Sequence, residues 1–191
     1  MAADGAGRYR AGETALIVKV PGAEPVVGIW RERFDASAEA GVPAHVSVLY
    51  PFLSRDRIDD QVLGVLGELF GSHRAFDLRF RRCGRFPGVL YLAPESDDQF
   101  RALTSAVADR WPEAPPYGGR FAEVIPHLTV ADGQEPSVLD AVEAELARRL
   151  PVATHVGSVQ LFAFDGIVWR EQADFALRAP RVSVPRCDGQ R

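Results

Sequence analysis

The order of structural signals repeats once along the chain, and that repeat limits the possible folds more than any single residue does. Residues 14–20 (TALIVKV) are a short β-branched apolar run closed by Pro21-Gly22, a strand and its turn. From 25 to about 40, Val26, Val27, Ile29, Trp30 and Phe34 recur at helical spacing, and Gly41 ends the segment. Residues 44–53 read as a strand, 56–71 as an amphipathic helix with acids in its first turn, and 76–86 as a strand again. The order then returns. A strand at 88–94 precedes a helix at 96–111 capped by Ser96 or Asp97, and a strand at 124–132 precedes a helix at 137–150 capped by Ser137. A strand at 154–164 turns at Asp165-Gly166 into a final strand within 167–178. Each half is strand, helix, strand, helix, strand. Two such units predict a pseudo-symmetric pair of lobes rather than a solenoid.

The chemistry sits at matching places in the repeat. His45, in A-H-V-S-V, falls on the middle strand of the first half, and His127, in P-H-L-T-V, on that of the second. Each is followed two residues later by a hydroxyl, Ser47 or Thr129. Side chains at i and i+2 share one face of a strand, so each strand offers an imidazole beside a hydroxyl. The alternate residues Val46, Val48, Leu128 and Val130 point into a hydrophobic layer. Such a pair suits a phosphate: the hydroxyl bonds a nonbridging oxygen while the imidazole addresses a bridging oxygen or a water. Ser and Thr are 13 of 191 residues. Two of four histidines followed in this way is then roughly a 2–3% accident by binomial counting. His73, after a helix end, and His155, at a strand start, lack the hydroxyl and stay outside the site.

Several function classes are disfavoured. Lys plus Arg number 22 against 26 Asp plus Glu, a formal net charge of −4, which argues against a grip on long nucleic acid. Cys83 and Cys187 are far apart and form no CxxC, which disfavours a disulfide framework or a structural zinc. Cys83 reads as a small buried side chain. The acidic pairs Asp59-Asp60 and Asp97-Asp98 are explained by helix N-termini and are not promoted to metal ligands. No P-loop, GxGxxG or HExxH is present, so no cofactor is expected. No apolar run of 18 residues occurs, and the small, polar start MAADGAGRYRAG lacks the apolar core of a secretory signal. The expectation is a cytoplasmic protein with a frayed segment at 1–13, one folded domain at 14–180 and a tail at 181–191.

The paired motifs, with GRFPGVLYLAPE and FAFDGIVWREQADFAL, resemble the 2H phosphoesterase superfamily, and within it the bacterial 2′-5′ RNA ligase family, over about residues 14–178. The resemblance implies an α+β fold of two lobes, with antiparallel sheets flanked by helices around a central cleft. It implies metal-independent hydrolysis of 2′,3′- or 1″,2″-cyclic phosphates, cleavage of 2′-5′ linkages, or reversible ligation of RNA ends. Carried over by position, His45 and His127 are the acid–base pair, and Ser47 and Thr129 bind the phosphate. One imidazole takes a proton from water, and the other protonates the departing ribose oxygen. His127 is read as the base and His45 as the acid, roles that a substrate entering from the other side would exchange.

Further candidates cluster nearby. Arg85, Phe86 and Tyr91 flank the Pro87-Gly88 turn, a region bordering the cleft in relatives. The arginine there could pair with phosphate and an aromatic could stack on a base. Tyr50 and Phe52 continue the first motif strand and either wall the cleft or fill the core. The loop at 112–120 brings Tyr117 and Arg120 close before the second motif. The expected partner is a nucleotide or an RNA terminus bearing a cyclic phosphate or 2′-5′ linkage, bound by a monomer, with neither membrane nor DNA involved. Two alternatives stand beside this: a non-catalytic module recognising nucleotides or RNA ends, and an enzyme of the same fold acting on a phosphoester unrelated to RNA.

Overall fold

Alternation decides which side of each strand is which. In β1 (Thr14–Lys19), Leu16 and Val18 enter the main core, while Ala15 and Ile17 join a second, smaller cluster on the other face. The computed structural model describes residues 8–121 and 123–179. Its remaining strands are β2 (His45–Leu49), β3 (Phe76–Phe86), β4 (Val89–Pro94), β5 (Leu128–Asp132), β6 (Val152–Val156), β7 (Ser158–Phe164) and β8 (Trp169–Ala176). Its helices are α1 (Glu24–Phe34), α2 (Ala36–Glu39), α3 (Asp60–Ser72), α4 (Asp98–Arg110) and α5 (Pro136–Ala147). The strands form two four-stranded antiparallel sheets, ordered β2-β1-β7-β8 and β5-β4-β3-β6. The α+β, two-sheet architecture expected from the sequence is the one observed.

The halves of the sequence are not the lobes of the structure. The strand closing the first half, β3, pairs with β4 and β6 in the second sheet, whereas β7, late in the chain, pairs with β1 in the first. Helices are traded as well: α1 packs against β5, and α4 against β2. The single run expected at 154–164 divides at Gly157. Before it, Val156 pairs with Phe76 in one sheet, and after it Ser158 pairs with Ala176 in the other. A glycine inside a strand pattern is where a chain can bend between layers. Motif strands β2 and β5 are the edges of their sheets and lie against each other.

Local chemistry moves several boundaries. The helix expected over 25–40 breaks at Asp35, whose backbone is extended and whose Oδ1 accepts the Ser37 N–H at 2.9 Å, capping α2. The other carboxylate oxygen accepts Arg31 Nε at 3.0 Å. Asp59, not residue 56, starts α3, through a bond from Val62 N to Oδ1 at 2.9 Å. α5 begins at Pro136, with Ser137 inside its first turn rather than at its cap. Only 128–132 of the strand expected at 124–132 is paired.

The start of the chain departs most from expectation. Residues 1–7 and 180–191, which include Cys187 and the expected tail at 181–191, lie outside the described residues. Residues 8–13, expected to fray, are held in place. Gly12 N donates to Phe164 O at 2.8 Å, and Arg55 N donates to Gly12 O at 2.8 Å. The Tyr9 ring packs 5.3 Å from Trp169 and 5.5 Å from Phe164. This anchoring is wholly tertiary: the residues' own composition carries no sign of it. Among the described residues no helix is long and apolar enough to cross a membrane.

Candidate active site

The two motifs are built alike. Val46 and Val48 on β2, and Leu128 and Val130 on β5, are fully buried, which turns His45, Ser47, His127 and Thr129 towards the gap between the sheets. There all four line one cleft of about 360 Å³. His45 Nδ1 lies 2.8 Å from Pro43 O, and His127 Nδ1 lies 2.6 Å from Ile125 O. A carbonyl accepts only, so each Nδ1 carries the proton and each Nε2 is left with its lone pair. In both cases the carbonyl belongs to the residue two positions earlier, so the repeat extends to tautomer control.

The electrostatics of the two imidazoles differ. Burial first, and then the positive charge of Arg31, push the His45 pKa down from 6.5 to about 4. Burial also holds His127 below its ordinary value, against the hydrogen bond to Ile125 O, which favours the protonated form. Arg31 lies in the core behind the cleft, 2% exposed, and bonds Asp35, Ser37 Oγ at 3.1 Å and Val42 O at 3.2 Å.

The softer candidates separate. Tyr117 is part of the site. It lines the cleft together with Ser47, and its N–H donates to Tyr50 O at 2.6 Å. Its φ of +52° is a left-handed conformation that costs a tyrosine energy. Tyr50 walls the cleft, while Phe52 fills the core against Trp111. Phe86 stands edge-on to His127 at 5.2 Å and lines an adjoining apolar cavity of about 620 Å³ with Phe121 and Ile125.

Tyr91 also touches His127, at 5.2 Å, but it is buried beneath Phe86 at 4.5 Å, so it supports the site and offers no face to a ligand. Arg85 is a correction. Its guanidinium is taken by Glu143 and Asp140 of α5, on the side of β3 away from the cleft. Neighbours on a strand point to opposite faces, so Phe86 and Arg85 could not both reach the site. His155 pairs with Asp77 at 2.9 Å and, like His73, does not line the cleft.

Gly84 explains how Tyr91 fits. A Cβ there would collide with the Tyr91 ring, which Phe86 already holds from the other side. Gly84→Ala therefore drives Tyr91 towards His127 and is expected to lower kcat/KM about tenfold or more through misplacement of the imidazole. Steady-state kinetics alongside a thermal melt checks this; unchanged kinetics would show that the aromatic support is dispensable.

Sequence reasoning missed Arg8, Tyr9, Ser37 and Trp169, all of which line the cleft. Trp169 is buried, and its Nε1 has no hydrogen-bond partner among the described residues, so the wall carries an unspent donor. Among the described residues no three His, Cys, Asp or Glu side chains gather as a metal site would need.

The chain belongs to the 2′-5′ RNA ligase superfamily, whose family model matches residues 19–167. Solved structures agree on the fold. E. coli LigT complexed with 3′-AMP aligns at 16% identity and a TM-score of 0.58, covering 88% of this chain and 99% of that one. A protein described as a phosphoesterase aligns at 15% identity and 0.57, with coverages of 88% and 99%. TT0787 of Thermus thermophilus aligns at 20% identity and 0.52, with coverages of 88% and 100%. No curated protein matches the chain.

Proposed function

We propose that the protein is a metal-independent phosphodiesterase that hydrolyses 2′,3′-cyclic phosphates or 2′-5′ linkages of nucleotides and RNA ends, with His45 and His127 as its acid–base pair. The observation that carries this reading is the matched pair of imidazoles, each with Nδ1 tied to a carbonyl and Nε2 free, beside a hydroxyl in one cleft. Ser47 and Thr129 hold the nonbridging oxygens. Tyr117, which lines the cleft with Ser47, donates a further hydrogen bond. Phe86 and Phe121 offer apolar surface for a base in the cavity next to His127. That E. coli LigT was solved with 3′-AMP is in keeping with a nucleotide substrate. We take the enzyme to act as a monomer in the cytoplasm. DNA is excluded as substrate because it lacks the 2′-hydroxyl that a cyclic phosphate requires.

We assign the roles the other way round from the sequence expectation, because burial and then the charge of Arg31 act on His45. A base must start neutral and an acid must start protonated. The imidazole depressed further, His45, is suited to take the proton from water, and His127 to deliver one to the departing ribose oxygen. Exchanging the roles would make the required pair of protonation states a minority at every pH.

In the free enzyme, kcat/KM is expected to rise as His45 loses its proton near pH 4 and to fall as His127 loses its own below pH 6.5. The result is a bell on the acid side of neutrality. Stability runs the other way. Both folded-state pKa values lie below the unfolded 6.5, so the unfolded chain binds more protons, and stability falls as pH drops from 6.5 towards 4. A profile flat from pH 4 to 7, with chemistry rate-limiting, would remove this acid–base assignment.

The functional test is incubation with EDTA and an oligonucleotide ending in a 2′,3′-cyclic phosphate, read by phosphorus NMR. Turnover that EDTA does not affect supports the reading, and the product isomer identifies the leaving oxygen. If a folded enzyme turns over neither this substrate nor a 2′-5′ oligonucleotide, while nucleotides still bind, the non-catalytic module replaces it.

A further inference from the structure

The segment at 8–13 does more than pack. From Gly12, tied to Phe164 and Arg55, the chain runs back along the cleft rim, with Tyr9 set among Tyr50, Phe164 and Trp169. Arg8 reaches across to Asp132 at the end of β5, so this strap joins one sheet to the other. A separate cavity of about 420 Å³ lies beside it, lined by Arg8, Arg10, Glu13, Tyr50, Tyr117 and Arg120 among others. Four of these, Arg8, Tyr50, Tyr117 and Arg120, also line the cleft that holds both histidines. The two spaces therefore share a wall.

Three guanidiniums around one small cavity are unusual in a chain of net charge −4. Arg8 is offset by Asp132, but neither Arg10 nor Arg120 is in an ion pair among the described residues. The one carboxylate in the wall, Glu13, already accepts the Tyr50 hydroxyl at 2.9 Å. Clustered like charges repel, and a cavity concentrates their field, so the local potential opposes the net charge of the protein. The ligand chemistry that answers such a cluster is a phosphate, whose oxygens match the guanidinium fork.

We propose that this cavity is a subsite for a second phosphate group of the substrate, next to but distinct from the phosphate that reacts. The proposal rests on the function read above and deepens it: the preferred substrate carries two phosphates, not one. The second is either a terminal 5′-phosphate on a nucleoside cyclic phosphate or the neighbouring phosphodiester of an RNA end. With the reacting phosphate between Ser47 and Thr129, the second passes Tyr50 and Tyr117 to meet Arg10 and Arg120. The strap thus brings substrate-binding charge to a site whose catalytic groups lie on β2 and at the start of β5.

Calorimetric titration with adenosine 3′-phosphate and adenosine 3′,5′-bisphosphate tests the subsite without turnover. Wild type is expected to bind the bisphosphate about tenfold or more tightly, with a steeper salt dependence. In Arg10→Gln/Arg120→Gln that ratio falls to within about twofold, and Arg10→Lys/Arg120→Lys restores part of it. His45→Ala/His127→Ala keeps the ratio. Equal affinities in wild type, no binding of either nucleotide, or a preference that survives the glutamine variant would overturn the proposal. Both arginines are exposed, so the variants are expected to fold, which a thermal melt confirms.

Kinetics then separates the two sources. Adenosine 2′,3′-cyclic phosphate is compared with its 5′-phosphorylated form and with a dinucleotide ending in a cyclic phosphate, and the lower KM identifies the natural second phosphate. Turnover of all three with equal KM would defeat the subsite and leave the phosphodiesterase reading intact. A bisphosphate preference without turnover would do the reverse.

Discussion

His45→Ala and His127→Ala are each expected to lower kcat on a 2′,3′-cyclic phosphate by about 10²–10⁴-fold, the usual worth of a positioned general acid or base. The double variant should be little worse than the poorer single one, because the imidazoles act on one proton circuit and removing either breaks it. Their symmetry makes this a sharp expectation: both are half-buried, both have Nδ1 bound to a carbonyl two residues back, and both face the same cleft. Their side chains are not part of the main core, so the variants should melt near wild type. Binding of adenosine 3′-phosphate should survive, since the hydroxyls remain. Single-turnover kinetics beside calorimetry decides the matter. Losses that simply multiply in the double variant would mean that the two histidines do not share a mechanism.

Arg31→Met is expected to destabilise the protein by about 3–5 kcal/mol, the cost of leaving one charge of a buried pair without its partner. Arg31 and Asp35 have side chains only 2% and 6% exposed. The arginine also supplies bonds to Ser37 Oγ and Val42 O, so several groups lose partners together. Arg31→Met/Asp35→Leu removes both charges. It should recover much of the loss, although Ser37 N and Val42 O then need other partners. Urea unfolding of wild type and both variants gives the comparison. A cost below about 1 kcal/mol for the single variant would mean that Asp35 finds solvent, and that the pair is not buried in solution. In whichever variant folds, the low-pH limb of kcat/KM should move up from about 4, since Arg31 is one of the two main causes of the His45 depression.

The site was largely legible because strand periodicity leaves little freedom. Once Val46 and Leu128 must be buried, His45 and His127 must face out of the core, and no loop geometry can change that. The same rule excludes Arg85: it neighbours Phe86 on a regularly paired stretch of β3, so once Phe86 faces His127 the arginine must face α5, and naming both as candidates overlooked that alternation. Arg31 was unreadable for another reason. A lone arginine on a helix looks solvated until the chain break at Asp35 folds a carboxylate and a serine back onto it. Tyr9 and Arg8 were missed because their partners, Trp169 and Asp132, are more than a hundred residues away. Local composition reports on local structure and is silent about such contacts.

The traded strands have a consequence for how the protein comes apart. β3 belongs to the first half of the sequence but completes the second sheet, and β7 does the converse. Cut between β3 and β4, the chain would leave the first sheet without β7 and β8 and the second without β3, so neither piece could complete its own sheet alone. The lobes are therefore mutual templates, related as two people clasping forearms are rather than as two beads on a thread. Each motif strand keeps a partner within its own half, β2 on β1 and β5 on β4, but a complete cleft needs both sheets and so both halves of the chain.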